Sequence, residues 1–134
     1  MPIRLTQSVK FLLGLCFATF ILQQTADQFF GAHLAGVLAL SPSRFLLQHA
    51  FWQPLTYSFV HSDVVHLFFN LLMLASIGSE LEAIWGKARF LRYYFFCTFA
   101  TAAVFILAYG FSRGAFPAMA GSPGPIYGLL LAYG

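Results

Sequence analysis

The stretch His66-Leu67-Phe68-Phe69-Asn70 lies within an uncharged run, Val64 to Ser79, that can form most of a membrane helix. Four residues apart on a helix, the imidazole and the carboxamide project from one face, one above the other. Hydrocarbon offers neither group a hydrogen-bond partner, so both must turn towards protein or water. An ionisable group at such a place is a functional candidate, whereas polar side chains also serve as glue between packed helices. Both readings stand for the pair at this level.

Composition places the surroundings. Hydrophobic residues make up 60% of the 134 and charged ones 8%, against about 25% charged in soluble domains. Phenylalanine occurs 17 times. A soluble fold of this size could not hide so much apolar surface, which puts the chain in a bilayer. There is no internal repeat and no low-complexity segment. Cys16 and Cys97 sit in apolar runs without metal-like spacing and read as packing residues. Phosphate loops, zinc patterns and dinucleotide fingerprints are absent from the sequence, so no cofactor is expected. The net charge of +3 fits membrane orientation, not nucleic-acid binding, since the basic residues form no soluble patch.

Working outward, Phe11 to Ala26 is a first span, and Gln23-Gln24-Thr25-Ala26-Asp27 at its end is a poor cleavage site, which favours a retained anchor over a signal peptide. Gly31 to Asp63, broken by Ser41-Pro42-Ser43 and Pro54, reads as a long, partly helical interfacial loop with Trp52 and Tyr57 as anchors. Val64 to about Trp85 is the second span; Trp85 is a third anchor, and Glu80 and Glu82 are expected in solvated surroundings at its far end. A short basic turn, Gly86-Lys87-Ala88-Arg89, leads to a third span, Tyr93 to Ser112. After a loop, Gly114 to Met119, the segment from Gly121 opens a fourth helix, of which Pro125 to Gly134 reaches halfway through a bilayer at about 1.5 Å per residue. Arg4 and Lys10 fall on the same side as Lys87, Arg89 and Arg92, with Arg44 and Arg113 opposite. That asymmetry predicts a cytoplasmic N-terminus and brings His66 and the Gly121 segment to the same outer surface.

In order and spacing, four pieces resemble a rhomboid intramembrane serine protease. They are Phe51-Trp52-Gln53-Pro54-Leu55-Thr56-Tyr57-Ser58-Phe59-Val60-His61, then His66-Leu67-Phe68-Phe69-Asn70, then Gly78-Ser79-Glu80-Leu81-Glu82, then Gly124-Pro125-Ile126-Tyr127-Gly128-Leu129-Leu130-Leu131-Ala132-Tyr133-Gly134. The resemblance implies a helical bundle that cleaves transmembrane segments of other membrane proteins. It also implies that His66 and Asn70 help form an oxyanion hole. It further implies a nucleophile in Gly-x-Ser-Gly at the head of the fourth span, and a histidine base on the sixth.

Two departures follow. Setting Gly121 and Gly124 on the motif glycines puts Pro123 at the nucleophile position and Ser122 one place early, a displacement of about 1.5 Å and about 100° on a helix. Ser122 before prolines also suits a helix N-cap. The histidines 33, 49, 61 and 66 all precede the glycine segment, so none occupies the base position. The family's Trp-Arg pair is Trp52-Gln53 here, which loses the charge. His61 either lines a cavity shared with His66 or lies in the interface. Gly124 and Gly128 have the spacing that allows close helix approach.

The expected protein is therefore one all-α, multi-pass, rhomboid-like membrane domain over residues 1–134. It has three full spans plus the start of a fourth, and is incomplete at its C-terminus. A bacterial plasma membrane is the expected location. As written it is expected to be inactive; the alternative is a catalytically dead relative that binds transmembrane helices.

Overall fold

The computed structural model describes residues 4–31, 33–61, 63–109 and 123–133, and every regular element among them is helical. Helix α1 (Gln7–Phe29) is the first span. The long loop carries three short helices, α2 (Leu34–Leu38), α3 (Pro42–Leu47) and α4 (Gln53–Thr56), and a 3₁₀ turn at Tyr57–Phe59. The second span joins α5 (Val64–Met73), a π-helical turn (Leu74–Gly78) and α6 (Ser79–Trp85). Helix α7 (Lys87–Tyr109) is the third span and α8 (Pro123–Tyr133) the fourth helix.

Three helices are long and apolar enough to cross a membrane, and only 22–28% of the most apolar window of each is buried. Their remaining surface carries large apolar side chains, Phe11, Phe17 and Ile21 on α1, Phe68 and Phe69 on α5, Phe96 and Phe99 on α7. Water would penalise that arrangement; lipid solvates it.

The third span starts earlier than Tyr93, because Lys87, Arg89 and Arg92 already belong to α7. Gly86 alone breaks the helix, at φ +85°, a conformation that glycine adopts without strain. The expected end of that span at Ser112, the loop Gly114–Met119 and Arg113 lie outside the described residues.

The spans and α8 share a core: Val9 and Leu12 from α1, Leu74 and Leu81 from the second span, Phe90 and Tyr94 from α7, Ile126 and Leu129 from α8. At Gly78 a Cβ would lie 3.0 Å from Leu74 Cδ1, 3.3 Å from Val9 Cγ2 and 3.4 Å from Phe90 Cζ. No side chain fits there without displacement, and the π turn ends at this residue.

Below the core, Glu80 is exposed as expected but Glu82 is not. Only 6% of Glu82 is exposed; its Oε1 accepts the Ser8 N–H at 3.1 Å and its Oε2 the Val9 N–H at 3.2 Å. The first amides of a helix lack intrahelical partners and sit at its positive end, so a carboxylate from a neighbouring helix satisfies both needs. The Thr6 side chain at the N-cap makes no capping bond, which leaves the task to Glu82.

The loop is partly helical as expected, and it packs on α7. Tyr57 is fully buried, not an interface anchor: its ring joins Leu40, Ala102 and Ile106 and its hydroxyl donates to Thr98 O at 2.7 Å. The hydroxyl finds a carbonyl inside, so the whole ring can be buried. Gln53, 1% exposed, holds the loop without charge, accepting the Ser41 N–H at 3.0 Å and donating to Val37 O at 3.1 Å.

Candidate functional site

Asp63 opens α5. Its Oδ1 accepts the His66 N–H at 2.7 Å, capping the helix and fixing His66 as its third residue. Asn70 stands one turn on, its Nδ2 donating to the His66 carbonyl at 2.8 Å. Both side chains are half-buried. The carboxamide is thus anchored to its own helix and keeps the capacity of a second N–H and a carbonyl oxygen.

His61 lies just before the cap. It is fully buried, and its ring centroid is 5.3 Å from that of His66 at an interplanar angle of 69°. The residue packs beside His66 and is not exposed. Its carbonyl accepts from Gln23 Nε2 at 2.6 Å, tying α1 to the entry of α5. Among the described residues neither ring nitrogen of His61, nor Gln23 Oε1, has a hydrogen-bond partner. Burial, and next the neighbouring His66, pull the His61 pKa from 6.5 down to about 4. The Phe59 backbone is near enough to oppose this, without the geometry of a hydrogen bond. The result is a polar column of Gln23, His61, His66 and Asn70 across α1 and the head of the second span.

Helix α5 contacts both α1 and α8. Of the four residues singled out at the head of the fourth helix, Gly121 and Ser122 lie outside the described residues. Pro123 and Gly124 are the first two residues of α8, the start that an N-cap at Ser122 implies. Proline is well tolerated there, where its missing N–H is one of the unpaired donors in any case. Further along, Gly128 accepts from Tyr93 Oη at 2.6 Å through its carbonyl. A Cβ on Gly128 would collide with Cys97 Sγ, so α7 and α8 approach as closely as the small-residue spacing implied.

Compared with known protein families, residues 48–134, well over half of the chain, match the rhomboid domain. The chain belongs to the rhomboid family. Comparison with curated proteins gave no match. The matched region of this rhomboid starts in the loop and takes in His61, His66, Asn70 and Glu82, whereas Gln23, on α1, precedes it.

Three parts of the arrangement escaped the sequence reading. Asp63 directly before an apolar run is a capping signal that could have been read. Gln23 and Glu82 gave no such signal, because each is explained only by a partner 38 or more residues away.

Proposed function

We propose that this rhomboid derives from intramembrane serine endopeptidases and that the chain, with the sequence it has, binds transmembrane segments of other membrane proteins without hydrolysing them. The observation that carries this reading is that α8 begins at Pro123, the residue that the Gly-x-Ser-Gly register assigns to the nucleophile. Proline has no hydroxyl to attack a peptide carbonyl. Ser122 stands one residue early, and misplacement by about 1 Å can already cost about 100-fold in rate.

In this proposal His66 and Asn70 are the surviving oxyanion-side groups. Such donors stabilise a charge that some nucleophile must first create, so by themselves they bind and orient. The N-terminus faces the cytoplasm and the pair faces the outer side, where a helix arriving through the bilayer would meet α5 and α8.

The second reading is an active endopeptidase that uses Ser122. It is favoured by the His66–Asn70 arrangement, which the family employs in catalysis. A fluorophosphonate probe separates the two. The chain should stay unlabelled. Stoichiometric labelling of Ser122 in the unaltered chain would establish the enzyme. Binding is tested by a photo-crosslinking residue at Asn70, which should capture an added transmembrane peptide and fail to capture a soluble one.

A further inference from the structure

At the opposite end of the second span from His66, Trp85, Arg89, Arg92, Tyr93 and Phe96 line an open groove of about 560 Å³. Four of the five lie on one face of α7, since 89, 92, 93 and 96 follow helical spacing. The Arg89 guanidinium carbon sits 5.2 Å from the centre of the Trp85 ring, and that ring meets Tyr93 edge-on at 5.2 Å. Stacking holds a guanidinium by its face and leaves its in-plane N–H donors for an anion. Arg92 engages Ala88 O through Nε alone, at 3.4 Å, so both of its terminal nitrogens remain. No carboxylate is among the lining residues.

The other end of the groove is apolar. Phe96 is 68% exposed and lies about 10 Å along the helix from Arg89 at 1.5 Å per residue. Both residues belong to the membrane-crossing helix Lys87–Ala108, which puts the arginines and Trp85 at headgroup level and Phe96 in the hydrocarbon. Two guanidinium forks above an aromatic wall match a molecule with an anionic phosphate at its head and an acyl chain below. A soluble phosphate would leave the wall uncovered, and a zwitterionic lipid would bring a cation to a site that already holds two.

We propose that this groove is a binding site for one anionic phospholipid, with Arg89 and Arg92 on its phosphate and Phe96 along its chain. The site is separate from the His66–Asn70 region and does not depend on whether the protein is an enzyme.

The chain contains two tryptophans, so Trp52→Phe leaves Trp85 as the sole reporter. In bilayers of otherwise equal composition, its fluorescence is quenched by brominated phosphatidylglycerol or brominated phosphatidylcholine. Phosphatidylglycerol should be preferred by roughly 25-fold. Arg89→Gln with Arg92→Gln should abolish that preference, by roughly fivefold per arginine, with helicity retained because both side chains are exposed. Should the double variant lose helicity, each single variant should lose about half of the preference on a logarithmic scale. Lys87→Gln, a charge at the same level that does not line the groove, should leave the preference intact. Equal quenching by both lipids would overturn the proposal. So would a loss with Lys87→Gln as large as with the arginine pair, which would mark diffuse surface attraction. Competition by excess inorganic phosphate at matched ionic strength would assign the groove to a free anion and overturn the lipid.

Discussion

A buried histidine links protonation to folding. His61 is held at about 4 in the folded protein against an ordinary 6.5, first by burial and second by the charge of His66. The unfolded chain therefore binds a proton that the folded chain refuses as the pH drops below 6.5. This contribution to stability is whole above 6.5, declines as the pH falls, and is exhausted near 4. For one proton the slope approaches about 1.4 kcal/mol per pH unit in the middle of that window. Unfolding in mild detergent, followed between pH 7 and pH 4, should show the slope, and His61→Phe should flatten it even if overall stability changes. An unchanged slope in the variant would assign the effect to other groups.

Among the elements, α7 and α8 depend on one missing side chain. The Gly128 carbonyl accepts from Tyr93 Oη, and a Cβ there would meet Cys97, with 3.1 Å to its Cβ and 3.6 Å to Tyr93 Oη. Forcing a methyl group into such a contact costs about 1–3 kcal/mol. Gly128→Ala should lower stability by that amount. Adding Cys97→Ala removes the sulfur and should restore part of the loss, though not all, because the Cβ of residue 97 stays. No recovery in the double variant would mean that the helix axes, not the sulfur, set the limit. The loop shows another economy. Gln53 holds the backbone at Ser41 and at Val37 through hydrogen bonds alone, so the loop is clamped without a charge.

For the whole molecule, the orientation proposed from its basic residues has a direct check. Cysteines placed at Pro2 and Ala88 should react with an impermeant thiol reagent only from the cytoplasmic side, and those at His33 and Ala115 only from outside. The native Cys16 is buried and should stay silent, while Cys97 is half-buried and is best replaced by alanine first. Reaction of residue 88 from outside would reverse the assignment. It would also turn the His66 end of the second span towards the cytoplasm.

The sequence by itself determined the class and the spans, because transfer of some 20 apolar residues into hydrocarbon outweighs every local preference. The alternation of turns and apolar runs located the loop and its partial helicity, and i, i+4 geometry placed His66 and Asn70 on one face. Helix ends were unevenly legible: α7 absorbed the basic turn because one glycine suffices to break the chain, whereas α8 begins at Pro123, where an N-cap at Ser122 before first-turn prolines puts it. Tertiary structure alone decided which polar groups are inside. Glu82 caps α1 and Tyr57 is buried on α7, while Gln23 bridges to His61. In each case the partner is far along the chain, and the environment of a polar group follows from that partner, not from the neighbours in sequence.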